Sequence, residues 1–316
     1  MQKSDGKAEV LFKDIHFEIS INKKPEFIIN KMKLGRISGK KLILNAYECL
    51  YLYLKKVICP LDKILNSAAG ILSIVIDDEG FLDRFMVYTF LKSKGLFVDV
   101  VGKAFFWDNN SRKPMNGPVV VIKEDQKVSF KDLLENSGQV YAAIDDDYGI
   151  TLFTSEIVEL RGNIEAPDLN GIHVEQINGI NMVSERKLPD WFGNRFSDLK
   201  ILNKSEAALL SDNDDEKKAL GSVILATFSD LVQSGFIVRS GFKYGANFRL
   251  YSKSMDDHAE FLLHVIEEPE EWYKISRAVR VAQGVRKTMV FAGDMGGKIS
   301  YIKINRVKDN FFSNQT

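Results

Sequence analysis

The second half of the chain gathers residue types that can move protons and hold anionic charge. Gly241-Phe-Lys-Tyr-Gly-Ala-Asn-Phe-Arg-Leu-Tyr251 is followed by His258 and then by Arg280-Val-Ala-Gln-Gly-Val-Arg-Lys287. An imidazole titrates near about 6.5 and can release a proton near neutrality. An ammonium is a compact charge suited to a phosphoryl oxygen. A phenol, titrating ordinarily near about 10, is a poor base unless neighbouring cations favour its ionised form. Taken singly, each of the three has a plainer reading. A tyrosine closing a strand is ordinarily packing, a histidine after Met-Asp-Asp ordinarily sits in a loop, and a lysine ending a helix is ordinarily solvated.

Other chemistries find little support. There is no HExxH and no Cys/His ligand spacing, so neither a metal nor a cofactor is expected. His264 reads as strand filler, and His16 and His173 join no cluster. Gly293-Asp-Met-Gly-Gly-Lys298 lacks the leading glycine of a phosphate loop and has Ile299 in place of Ser or Thr, so a hairpin turn is expected. Cys49 and Cys59 form no CxxC and cannot build a disulfide framework; Cys49 reads as a buried thiol in a reducing cytoplasm. No apolar core follows a basic head at the N-terminus, and Asn45 and Glu48 interrupt the most apolar run, Leu42 to Leu54. Neither a signal peptide nor a membrane span is expected, and the protein reads as soluble.

The elements that must position these residues occur twice. Ile43-Leu-Asn-Ala-Tyr-Glu-Cys-Leu-Tyr-Leu52 parallels Ile201-Leu-Asn-Lys-Ser-Glu-Ala-Ala-Leu-Leu210 at an offset of 158, which also pairs Gly35 with Gly193. Lys92-Ser-Lys-Gly-Leu-Phe-Val98 parallels Val232-Gln-Ser-Gly-Phe-Ile-Val238 at 140. Val140-Tyr-Ala-Ala-Ile-Asp145 with Ile150 parallels Met289-Val-Phe-Ala-Gly-Asp294 with Ile299 at 149. Three echoes in the same order imply a tandem duplication. Each half reads as a glycine-containing strand pair, an apolar helix, a linker, a second helix ending at Gly95 or Gly235, and a series of strands. The acidic run Ser211-Asp-Asn-Asp-Asp-Glu216 reads as a solvated loop and helix start. The fold class is α+β, each repeat a small α/β N-terminal subdomain plus a mixed-sheet C-terminal subdomain. The expected divisions are an extension over 1–26, a first repeat over 27–162, a small subdomain over 163–216 and a C-terminal domain over 217–316.

The stretch from Gly235 to about Val307 resembles the catalytic domain of archaeal tRNA-splicing endonucleases. The shared pattern is a glycine-ended helix, a strand, GxKYGxxFRxY, a histidine within about ten residues, and RVAxxVRK. Trp191-Phe-Gly-Asn-Arg to Leu210 is similar to that family's small N-terminal domain. The resemblance implies a metal-independent tRNA-intron lyase that cuts precursor tRNA at bulge-helix-bulge junctions, leaving a 2′,3′-cyclic phosphate and a 5′-hydroxyl. It places the general base on Tyr251, the general acid on His258 and the electrostatic stabiliser on Lys287. The need for a 2′-OH restricts the reaction to RNA. It further implies that arginines clamp a bulged base by stacking: Arg280 first, then Lys303 or Arg306, with Arg249 and Lys243 lining the site or contacting phosphate. Lysine at the second place would stack more weakly, lacking a planar face.

The first half departs from that pattern. Gly102-Lys-Ala-Phe-Phe-Trp107 stands where the glycine-rich stretch and the base belong, Pro114 stands near the histidine position, and Gly138 aligns with Lys287. It reads as a catalytically inactive repeat. The resemblance gives its loop Asp145-Asp146-Asp147-Tyr-Gly149 the role of docking into a basic cleft of a catalytic unit, so that a C2 homodimer supplies two active sites.

Two rival readings stand beside this one. A non-catalytic RNA-binding or assembly subunit is opposed by the intact Tyr251, His258 and Lys287. A metal-dependent DNA nuclease would need a PD…(D/E)xK set, for which only Asp256, Asp257 and Glu260 are at hand. Charge fits a nucleic-acid enzyme only locally. The 316 residues balance 43 Lys+Arg against 43 Asp+Glu, which excludes a uniformly basic coat, whereas residues 235–316 hold 13 against 9.

Overall fold

The computed structural model describes residues 6–12, 15–21, 23–39, 41–59, 78–108, 116–184, 188–211 and 221–307. Pro114 and Asp212 to Glu216 of the acidic run therefore lie outside the described residues, as does part of the N-terminal extension. The first half runs β1 (Gly6–Phe12), β2 (Ile15–Ile21), α1 (Pro25–Asn30), β3 (Arg36–Ser38), β4 (Lys41–Asn45), α2 (Ala46–Leu54), β5 (Ile58–Cys59), α3 (Phe81–Ser93), β6 (Phe97–Val101), β7 (Ala104–Asp108), β8 (Asn116–Lys123), β9 (Lys127–Val128), α4 (Phe130–Glu135), β10 (Val140–Ile144) and β11 (Ile150–Ile157). The second half runs β12 (Glu175–Ile177), β13 (Ile180–Ser184), β14 (Asn194–Phe196), β15 (Leu199–Ile201), α5 (Lys204–Leu210), α6 (Ser222–Gln233), β16 (Ile237–Ser240), a 3-10 turn (Phe242–Tyr244), β17 (Phe248–Tyr251), β18 (Phe261–Val265), β19 (Glu270–Glu271), α7 (Trp272–Gly284), β20 (Thr288–Asp294) and β21 (Ile299–Arg306).

These elements pack as two compact units. One combines residues up to Val121 with Val140–Thr151; the other combines Ile122–Gln139 with Leu152–Val307. In the first, β1 and β2 of the extension form an antiparallel pair that joins the sheet β3-β4-β1-β2-β5 through a parallel β1–β4 ladder. Tyr47, Phe81, Phe85, Tyr88 and Phe105 interlock in its aromatic core. Cys49 is buried there, and burial pushes its thiol up to about 12.

The second unit holds a small sheet, β12-β13-β15-β14, and a larger run of strands in the order β16-β17-β18-β20-β21-β11. Helix α6 buries Phe228, Leu231 and Val232 against Val238, Phe248, Leu250, Leu263, Val265, Val290 and Ala292. Each buried Val, Leu or Phe among them contributes about 1.5–3 kcal/mol by leaving water. Alternation along the strands sends Leu262, Met289, Phe291, Ile302 and Ile304 to the opposite face, where α7 packs. The first half contributes to this unit directly. The carbonyls of Gln126 and Glu124 accept the otherwise unmatched N–H groups of Trp272 and Tyr273 at the start of α7. The Phe153 ring meets Trp272 edge-on.

The echoed segments share local geometry. Asn45 and Glu48 form a capping box on α2, and Asn203 and Glu206 form one on α5. In each, the glutamate also accepts the N–H of the echoed glycine, Gly35 at 2.7 Å and Gly193 at 3.1 Å. The β3–β4 register pairs Arg36 with Ile43, and the β14–β15 register pairs Asn194 with Ile201, the same positions at offset 158. A side chain at Gly35 or Gly193 would strike the following strand, and both glycines adopt positive φ. Helices α3 and α6 end at Gly95 and Gly235, again with positive φ.

Candidate active site

Tyr251 is the last residue of β17, His258 lies in the loop joining β17 to β18, and Lys287 immediately precedes β20. Those three strands are neighbours, and their ladders fix the positions. The Glu260 N–H donates to the Leu250 carbonyl at 3.0 Å, and the Thr288 N–H donates to the Glu260 carbonyl at 3.1 Å. Tyr251, the His258 loop and Lys287 are thereby brought to one end of one sheet. The Lys287 ammonium donates to the carbonyl of Ala259, the residue after His258. An ammonium has three protons, so two remain for a phosphoryl oxygen.

Helix α7 sets the place of Lys287. Trp272, Ile275, Val279 and Ala282 bury its inner face, leaving Lys274, Arg277 and Arg280 exposed. The helix stops in a Schellman closure: the Arg286 N–H donates to the Gln283 carbonyl and the Lys287 N–H to the Ala282 carbonyl at 2.9 Å. Arg286 occupies the left-handed position, φ 55°, that glycine ordinarily fills. Lys287 is therefore positioned by a helix end that carries backbone strain.

Tyr251 is largely buried. Ile237 and Ala259 pack against it, with Ile164 and Trp191 alongside. The Arg249 guanidinium lies 5.7 Å from the centre of its ring. Arg249 is half-buried, and its enclosed Nε has no hydrogen-bond partner among the described residues. Across the ladder Arg249 faces Arg239, an unfavourable opposition of like charges. Glu206 offsets it by an ion pair with Arg239 at 3.2 Å. Arg239 also donates to Asn194 at 3.1 Å, so it ties β16 to the small sheet. Burial pushes the Glu206 carboxyl up from its ordinary range, while N–H groups of Asn203 and Gly193 and the Arg239 charge pull the other way. Sequence reasoning missed Arg239 and Trp191. The only hint of the ion pair was Glu206 standing in a repeated segment.

The remaining candidates separate by face. Lys303 lies opposite Val290, on the α6 side of the sheet, and forms an ion pair with Glu156. Arg306 points to the α7 side, is exposed, and stands at the strand end nearest Lys287; its carbonyl accepts from Gln283 on α7. Arg280 is exposed on the same helix. Lys243 is exposed on the 3-10 turn, its ammonium 5.0 Å over the Tyr244 ring.

The acids near the site are engaged locally. Glu260 accepts from Ser252 at 2.7 Å, and Asp256 accepts from Ser254 at 3.2 Å. Among the described residues, no group of three or more His, Cys, Asp or Glu is placed to hold a metal ion. No described helix is long and apolar enough to cross a membrane. His264 is hydrogen-bonded to Glu270 at 2.9 Å and meets Phe291 edge-on, so it is a strand residue fixed by its neighbours. In the first half, Gly138, two residues before β10, carries no side chain. In the β10–β11 turn, Asp145 accepts the N–H groups of Asp147 and Gly149, at 3.1 and 2.7 Å, leaving its neighbours Asp146 and Asp147 exposed. Asp294 does the same for Gly297 in the echoed turn.

Residues 223–301 match the model of a family described as tRNA intron endonuclease, catalytic C-terminal domain. A tRNA-splicing endonuclease of Picrophilus torridus is 33% identical over 294 residues, covering 93% of this chain and 95% of that protein. One from Thermoplasma volcanium is 33% identical over 306 residues, covering 97% and 99%. One from Thermococcus onnurineus is 42% identical over 84 residues, covering 26% of this chain and 49% of that protein.

Proposed function

The chain belongs to the tRNA-splicing endonuclease family, and on that premise we propose how it cuts precursor tRNA. The substrate is a bulge-helix-bulge junction. Tyr251 removes the proton of the 2′-OH, whose oxygen attacks the adjacent phosphorus. Lys287 holds the added negative charge of the pentacoordinate phosphorus. His258 protonates the departing 5′-oxygen. The P–O5′ bond breaks as the P–O2′ bond forms, giving a 2′,3′-cyclic phosphate and a 5′-hydroxyl without a change in redox state. The observation that supports this reading is the joint placement of Tyr251, His258 and Lys287 at one end of β17, β18 and β20. Arg280 and Arg306 clamp the bulged base; Lys303, turned to the other face and paired with Glu156, is the weaker candidate.

The matched registers and capping boxes support a tandem duplication whose first repeat is catalytically inactive, within the divisions expected from the sequence. A homodimer then supplies two active sites, with Asp146 and Asp147 docking on the partner copy. The test is cleavage of a bulge-helix-bulge RNA in EDTA. Cutting should persist in EDTA and vanish when the attacking nucleotide is 2′-deoxy. Cutting that EDTA abolishes, or that survives the deoxy substitution, would overturn the mechanism.

A further inference from the structure

Phe242 is 89% exposed, more than any other large apolar side chain among the described residues; Phe196 follows at 64%. Single exposed apolar residues are common, but this one is held out by a well-bonded turn. The Tyr244 N–H donates to the Gly241 carbonyl at 2.8 Å, Gly245 to Phe242 at 3.0 Å, and Gly241 to Asn247 at 3.0 Å. Two glycines permit the shape. A Cβ at Gly241 would approach the Ala246 carbonyl oxygen to 2.7 Å, and Gly245 has φ 67°. Beside Phe242 stands Lys243, its ammonium over the Tyr244 ring. The turn closes the β16–β17 hairpin at the start of β17, while Tyr251 ends that strand three residues, roughly 10 Å, farther along, so Phe242 lies beyond the catalytic end by more than the length of β17.

We propose that Phe242 is a base-stacking contact for an unpaired nucleotide of the RNA, lying outside the pair of arginines that clamp the bulge. This rests on reading the site as an RNA-cleaving one. A flat apolar ring offered to solvent beside a cation is the combination that binds single-stranded nucleic acid: the ring takes a base face and the cation tracks the backbone. The site's substrate class supplies unstacked bases, which a duplex does not. Stacking discriminates little between bases, so the contact adds reach and affinity, with little sequence preference.

The experiment measures affinity for a bulge-helix-bulge RNA carrying 2′-deoxy at the scissile nucleotides, using wild type, Phe242→Ala and Phe242→Trp. Phe242→Ala should weaken binding about five-fold or more, and Phe242→Trp should restore it. Removing the base at one unpaired nucleotide should weaken wild type similarly and cost the alanine variant nothing further. Cleavable RNA should show the loss in KM. Equal affinity of wild type and Phe242→Ala, with wild type still cutting, overturns this contact alone. A lowered dimer mass for Phe242→Ala in sedimentation also overturns it, because the ring would then face a second copy. Wild type that neither binds nor cuts the RNA removes the underlying reading and this one together.

Discussion

The ammonium of Lys287 donates to the carbonyl oxygen of Ala259, the residue that follows His258. The proposed stabiliser is thus tied by one hydrogen bond to the backbone of the loop that carries His258, the proposed acid. Lys287→Ala should lower the single-turnover cleavage rate about 100- to 1000-fold, the scale for losing one positioned stabilising donor. Quenched-flow assays on saturating RNA will measure it. Wild-type turnover in this variant would remove Lys287 from the mechanism.

His258→Ala should lose about 100- to 10,000-fold with an ordinary substrate. A substrate whose 5′-bridging oxygen is replaced by sulfur has a leaving group that needs no proton. The variant should cut it at near the wild-type rate. A defect of equal size on both substrates would place His258 outside the protonation step.

Arg239→Ala should destabilise the fold by about 3–5 kcal/mol, because it strands the buried Glu206 carboxylate. The sign with pH follows from the direction of the shift. The folded-state value of Glu206 is raised, so the folded chain takes up a proton before the unfolded chain does. The penalty is fully present above the folded value and shrinks as pH falls through it. Removing Arg239 raises that value further. The deficit of the variant, measured by urea unfolding, should therefore be smaller near pH 5 than near pH 7.5, and an equal deficit at both would contradict the argument.

Arg286→Gly should stabilise the chain by about 1 kcal/mol, since glycine adopts the left-handed conformation at the end of α7 without a Cβ penalty. Thermal unfolding will show the gain, and a lowered midpoint would mean that the Arg286 side chain stabilises more than its backbone costs.

Asp145 and its neighbours should respond differently. Asp145→Ala removes two turn hydrogen bonds and should cost about 1 kcal/mol of stability. Replacing Asp146 and Asp147 together by asparagine should weaken self-association, with the effect shrinking at high salt. Sedimentation velocity at two ionic strengths distinguishes these. Undiminished dimer in the double variant would sink the docking role.

Much of this was open to reading in one dimension. The glycines that end α3 and α6 announce themselves because left-handed backbone favours glycine. The end of α7 did not, since Arg286 fills that place and a basic residue there reads as an ordinary helix terminus. The two Asn-x-x-Glu segments are a local helix-start signature, because their capping boxes are hydrogen bonds between residues three apart. Nothing local marks Arg239 as the partner of Glu206, because the two stand 33 residues apart in different elements. The packing of residues 122–139 beside the second half was equally hidden, for the carbonyls that receive the α7 N–H groups carry no side-chain signature.

The sequence by itself determined which reactive groups exist, their order, and the periodicities that make strands and helices around them. Those properties are local, set by side-chain type and backbone preference. Only the tertiary structure decided between Lys303 and Arg306 as the residue on the α7 face, because alternation tells which residues share a face but packing chooses the face. It also turned Asp145 into its own loop and left Asp146 and Asp147 outward. The same packing set Tyr251 beneath Arg249 and Trp191. Strand pairing between distant segments fixes such neighbours, and no window of sequence contains them.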